Sequence, residues 1–210
     1  RYPLAYRYLK ENEDRIKENV QCREGVMWHT FTREHNQSMY DVDKIIIPMT
    51  AKDTIATYIS NRGLYMDNAN VWFITIPNAD SKIMKAITCV INSTVFSVLG
   101  KAGANPQTGE YYKFNKQFLT PIPFPSVKLT ADSEAVLYLS SIFDEITELQ
   151  DRYLVATQNQ KEVFTRALKE KWSDLDEVCF NLYEVTDVEK AQIQAIGRTI
   201  SRIDLLNGAE

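Results

Sequence analysis

The stretch from Lys82 to Pro125, KIMKAITCVINSTVFSVLGKAGANPQTGEYYKFNKQFLTPIPFP, restricts the fold more than any other part of the chain. Ile83, Ile87, Val90, Ile91 and Val98 recur at three- and four-residue steps or their sum, which places them on one face and predicts a buried helix over Lys82 to Leu99. At Gly100 the pattern gives way to a polar loop, KAGANPQTGEYYKFNK, in which Gly, Asn and Pro interrupt regular structure. The prolines of Pro121 to Pro125 then exclude further helix. A buried helix therefore presents a loop to solvent.

That loop is basic. Between Ser81 and Lys128 there are six lysines (82, 85, 101, 113, 116 and 128) and one acid, Glu110, in a 210-residue chain of net charge −4. The balance is +4 from Arg1 to Lys128 and −8 from Leu129 to Glu210. A positive surface beside aromatics and amides in an acidic chain points to an anionic partner.

Around this stretch the sequence reads as an α+β domain followed by helices. Tyr2 to Val20 has the spacing of an amphipathic helix, with Pro3 in its first turn. Short strands are expected over Met27 to Phe31, Lys44 to Ile47 (stopped by Pro48), Ile55 to Ile59, Leu64 to Met66 and Val71 to Ile76. Asn61-Arg62-Gly63 reads as a hairpin turn. This describes a mixed sheet of small strands with packed helices over residues 1–128. Residues 129–210 read as a helical region. There Val136, Leu139, Phe143, Ile146 and Tyr153 form a heptad-like stripe, and further helices are expected over Glu162 to Trp172, over Leu175 to Tyr183 and from Asp187. Thr186 and Glu189 have capping-box spacing.

No apolar run approaches the roughly 20 residues of a membrane-spanning helix, and no signal-peptide pattern is present, so a cytoplasmic protein is expected. Arg1 stands where an initiator Met would, and a piece of a longer protein is expected. Cys22, Cys89 and Cys179 read as reduced, buried thiols, and His29 and His35 lack partners at metal-ligand spacing. No P-loop, GxGxxG, GxSxG or HExxH pattern occurs. Asp67 with Asp80-Ser81-Lys82 matches the acid and acid-x-Lys spacing of metal-dependent nucleases, but Asp80 and Ser81 sit where a helix N-cap is expected.

Binding has more support than catalysis. Lys52, Lys101, Lys113 and Lys116 can neutralise phosphates. Asn105, Gln107, Asn115 and Gln117 carry the amide that pairs with adenine, and Arg33 and Arg62 the fork that reads guanine. Tyr111 and Tyr112 can stack on a base or pack on a sugar. A different class of function, a protein-interaction scaffold, would use the stripe from Val136 to Tyr153 instead.

Several landmarks carry a resemblance: YPLAYRYLKENEDRIKE, MWHTFTR, DKIIIP, GLYMDNANVWFI, KAITCVINSTVFSVL, FLTPIPFP and the later LYEVTDVEKAQI. In order and spacing they resemble the TaqI-like C-terminal specificity domain of adenine-specific DNA methyltransferases and of fused restriction-modification enzymes. The resemblance implies a target-recognition domain over residues 1–128 and a helical spacer or docking region over 129–210. Double-stranded DNA would be its partner. A covalently linked methyltransferase domain would hold S-adenosylmethionine and methylate the flipped adenine. The family's catalytic Asn-Pro-Pro-Tyr/Phe has no counterpart here, since Asn105-Pro106-Gln107 lacks the second proline and the aromatic. This chain alone is therefore expected to bind and not to catalyse, and the base-reading residues cannot be carried over by motif.

Overall fold

A computed structural model describes residues 2–19, 27–29, 41–60, 64 and 70–207. It divides into two compact units, Arg1–Tyr40 and Asp41–Glu210. In the first, two helices replace the single one expected: α1 (Pro3–Glu11) and α2 (Glu13–Asn19). The break is at Asn12, whose side-chain amide donates to the carbonyl of Tyr8 at 2.9 Å and so competes with helical bonding. Glu13 pairs with both Lys10 and Lys17, and each of these ammonium groups lies 5.9 Å from the centroid of the Trp28 ring. Trp28 and His29 form a turn, where a strand from Met27 to Phe31 was expected; the last two residues of that range lie outside the described ones.

The second unit opens with strands β1 (Lys44–Pro48), β2 (Thr50–Ala51), β3 (Thr57–Ile59) and β4 (Val71–Ile74). β1 is the centre of an antiparallel sheet in the order β3–β1–β4, with Ile45 opposite Tyr58 on one side and Ile74 on the other. Four consecutive buried residues, Lys44 to Ile47, fit a strand covered on both faces, and Pro48 ends it without breaking an interior bond. β3 and β4 are shorter than expected. Leu64 is outside any strand, and the hairpin turn expected at 61–63 lies outside the described residues.

The helix expected over Lys82 to Leu99 is two helices, α3 (Ser81–Asn92) and α4 (Thr94–Gly103), bent by 63°. Ser93 between them is extended; its hydroxyl accepts from the Phe96 N–H at 3.2 Å and donates to the Val90 carbonyl at 2.7 Å. Asn92 meanwhile pairs its side-chain amide with both backbone groups of Ala56, at 2.8 and 2.9 Å, as a neighbouring strand would. In a straight helix the Phe96 N–H would donate to the Asn92 carbonyl, so the Ser93 cap requires the break. Gly100, read as the start of a loop, lies inside α4 instead, where its close approach to Thr54 leaves no room for a side chain.

After α4 come β5 (Asn105–Pro106), β6 (Tyr112–Lys113) and the short α5 (Lys116–Leu119). The chain then builds α6 (Glu134–Leu154), α7 (Gln158–Leu182) and α8 (Asp187–Ile196). α7 is continuous where two helices were expected, because Leu168, Leu175, Cys179 and Leu182 keep one buried face across the polar Ser173-Asp174 pair. The Thr186–Glu189 capping box is formed at α8.

In the stripe on α6, Val136, Leu139, Ile146 and Tyr153 are buried, and Phe143 is half-buried. Its partners belong to the same chain. Cys89 on α3 meets the Leu139 carbonyl at 3.4 Å, Lys85 on α3 pairs with Asp144 at 2.7 Å, and Lys171 on α7 pairs with Glu145 at 2.5 Å. One hydrophobic core runs from Ile45 to Ile203, so residues 129–210 share a core with the sheet domain, and the division into compact units falls at Tyr40/Asp41. Architecture is thus α+β, with small antiparallel sheets and a helical C-terminal region. Among the described residues no single helix is long and apolar enough to cross a membrane.

Candidate nucleic-acid interface

A second small sheet gathers most of the candidate binding residues. Its order is β2–β6–β5, all antiparallel. The register aligns Thr50, Lys113 and Asn105 in one row across the strands, and Ala51, Tyr112 and Pro106 in the next. Side chains alternate between faces along a strand, so the two rows face opposite ways. All of Thr50, Lys113 and Asn105 are exposed, whereas Ala51 is buried and Tyr112 half-buried.

The inner row is anchored. Tyr112 stacks near Phe114, with centroids 6.2 Å apart. Phe114 is completely buried and donates its N–H to the Met49 carbonyl at 2.7 Å. The exposed row, with Lys113 as its cation, is thereby carried on a base packed at Ala51 and Tyr112, while Pro106 at the edge is exposed.

At the end of the sheet, β5 and β6 are joined by a turn closed by the Gln107 N–H donating to the Tyr111 carbonyl at 2.6 Å. Gly109 (φ 73°) and Glu110 (φ 64°) both adopt left-handed backbone there. The Gln107 amide donates to the carbonyl of Pro106 at 3.0 Å, and the ammonium of Lys52, just past β2, lies 5.5 Å from the Tyr111 ring centroid. Lys52, Asn105, Gln107, Tyr111, Tyr112 and Lys113 are therefore neighbours on one sheet and its turn. Asn115 follows as the N-cap residue of α5, half-buried and without a side-chain cap bond, and Lys116 beside it is exposed.

Lys101 is placed differently. Its ammonium forms an ion pair with Asp53 and donates to the Thr199 hydroxyl at 2.8 Å, leaving its side chain 11% exposed. It is an internal counter-ion, turned away from the outward cationic surface. Arg33 and Arg62 lie outside the described residues.

The partner of Lys101 belongs to a polar knot that sequence reasoning missed. Asp53 is fully buried and also accepts from the Ser97 hydroxyl at 2.9 Å and from the backbone N–H groups of Thr199 at 3.2 Å and Ile200 at 2.8 Å. Burial pushes its carboxyl up, but Lys101, the Arg198 guanidinium and the Ile200 N–H outweigh this and hold it below the usual aspartate range. Arg198 donates to the carbonyls of Thr54 at 2.9 Å and Asn92 at 3.1 Å; burial, with Arg202 nearby, brings it down to about 10. Arg202 forks onto Asp176 at 2.9 and 3.0 Å and lies 4.6 Å from the centroid of the Trp172 ring. The segment from Arg198 to Ile203 is thus tied to the end of β2 and to the break between α3 and α4. Its trace in the sequence is the four-residue spacing of Arg198 and Arg202 after Gly197.

Other chemistry finds little footing. Burial pushes the thiols of Cys89 and Cys179 up, the second to about 12, which keeps them protonated. Asp80 caps α3 through the Lys82 N–H at 2.9 Å, and Asp67, its partner in a nuclease reading, lies outside the described residues. Among the described residues no three His, Cys, Asp or Glu side chains gather closely enough to hold a metal ion. No protein-family model and no curated protein sequence matches the chain.

Proposed function

We propose that this chain is the DNA sequence-recognition module of an N6-adenine-specific DNA methyltransferase, or of a restriction-modification enzyme fused to one, and that duplex DNA seats on the β2–β6–β5 sheet. The observation that carries the reading is the grouping of Lys52, Lys113, Asn105, Gln107 and Tyr111 on one sheet and its turn, with Lys116 close behind in sequence. Lysines there neutralise phosphates, and the amides carry the donor and acceptor that read a base edge. A two-stranded ribbon such as β5–β6 fits a major groove about 12 Å wide. Methyl transfer, with S-adenosylmethionine, belongs to a covalently linked catalytic domain in the cytoplasmic parent protein. This chain contributes site selection. The stripe a scaffold would need is spent inside the core, which favours the DNA reading over the scaffold one.

The test is affinity for random-sequence duplex DNA across a salt series, for wild type and for the Lys52→Ala, Lys113→Ala, Lys116→Ala triple variant. Each phosphate contact contributes about 0.9 to the slope of log K against log salt, so the triple variant should lower the slope by about 3. An unchanged slope would remove this sheet from the interface.

A further inference from the structure

The turn between β5 and β6 carries a residue the cationic surface does not account for. Glu110 is the one acid between Ser81 and Lys128, it is exposed, and it sits in the turn that joins β5 to β6, directly before Tyr111, whose ring carries the Lys52 ammonium. Among the described residues neither a salt bridge nor a side-chain hydrogen bond ties it down: the Lys52 ammonium lies over the Tyr111 ring instead. Its backbone is left-handed at φ 64°, directly after left-handed Gly109 at φ 73°. A glycine takes that conformation freely, whereas a side chain with a Cβ is strained there. Tight hairpin connections call for positive φ, and Asn78 and Glu184 also adopt it, so it is the free, exposed carboxylate that sets Glu110 apart on this sheet.

On a surface that meets phosphates, a carboxylate is repelled by the backbone it approaches and gains only where it finds a donor. Of the base edges in the major groove, those of guanine and thymine offer acceptors. Adenine sets its N6 amine beside the N7 acceptor, which opposes a carboxylate. Cytosine presents its N4 amine as a donor alone. We infer that Glu110 is a specificity-determining residue that accepts from the N4 amine of a cytosine in the recognised site. The inference rests on the DNA reading above and adds a base to it. Lys52 and Lys113 supply affinity without regard to sequence, while Glu110 weakens binding everywhere except over cytosine.

That opposition gives the test two readouts of different sign. Glu110→Gln keeps the size of the side chain, removes the charge and adds an amide donor. It is compared with wild type for affinity to random duplex DNA and for base enrichment from a randomised duplex pool. The expected result is random-sequence affinity equal to or higher than wild type, with about tenfold loss of cytosine preference at one position and the other positions unchanged. Enrichment identical to wild type, with binding intact, overturns the assignment of Glu110 and leaves the DNA reading standing. No binding by wild type even at low salt overturns both. Glu110→Asp serves as control for the fold, and restored cytosine preference in it supports the carboxylate as the reading group.

Discussion

Lys101 and Lys113 stand twelve residues apart in one basic stretch, and the fold uses them in opposite ways. The first sits near the end of α4, turned inward onto a fully buried carboxylate. The second occupies the central strand of the small sheet, in the exposed row. Charge density along a sequence locates a basic segment, but each charge answers to its nearest partner, and a buried Asp53 claims one lysine before any external anion can. The difference is one of energy as well as place. Lys101→Ala leaves Asp53 buried without its main counter-ion and should cost about 3 kcal/mol, the low end for breaking a buried pair because Arg198 and three hydrogen bonds remain. Lys113→Ala should stay within about 0.5 kcal/mol. Urea unfolding of both variants measures the contrast, and equal losses would break it.

The same contrast explains what was legible beforehand. The α+β class, the core strand Lys44 to Ile47, the Asp80 cap and the Thr186–Glu189 box follow from periodicity and capping chemistry, which are local. The grouping of Lys52 with Tyr111 and Lys113 was only partly visible, since it needs β2 to pair with β6 some sixty residues later. Lys101 reads in sequence as one more outward lysine because its partners, Asp53 and the Thr199 hydroxyl, are 48 and 98 residues away. The bend at Ser93 was missed for a similar reason. The apolar steps run on through it, and only the long-range pairing of Asn92 with Ala56 and the capping role of Ser93 show why one helix becomes two.

Acid should loosen the buried knot and leave the small sheet in place. The Asp53 carboxyl is held below the usual range in the folded chain, so the stabilisation it supplies is complete above the unfolded value and is lost as pH falls through the folded one. The exposed carboxylates with lowered values, Glu145 and Glu184 among them, titrate over a similar range, so global unfolding would not isolate it. Amide exchange does. The N–H groups of Thr199 and Ile200, which donate to Asp53, should lose protection as pH drops below the ordinary aspartate range, while the Phe114 N–H, donating to Met49, keeps its own. Equal loss at both sites would mean that the knot and the sheet open together.

At finer scale the two regions should respond oppositely to changes in bulk. A Cβ at Gly100 would meet the Thr54 methyl at 2.9 Å and the Phe114 ring at 3.4 Å. Thr54 cannot turn away without losing its 2.8 Å hydrogen bond to the Ile91 carbonyl. Overpacking should outweigh the gain in helix propensity, for a net loss of about 1 kcal/mol in Gly100→Ala.

Glu110→Gly removes a whole side chain from the tip of the ribbon and should do the reverse. The side chain is exposed, and the backbone at φ 64° is one that glycine adopts without strain. Relief of that strain is offset in part by the greater freedom of glycine in the unfolded chain, which leaves a rise of about 0.5 kcal/mol. Thermal or urea unfolding measures it. A fall in stability instead would mean that the carboxylate makes contacts that matter to the fold, and the left-handed residue at the tip would then be structural.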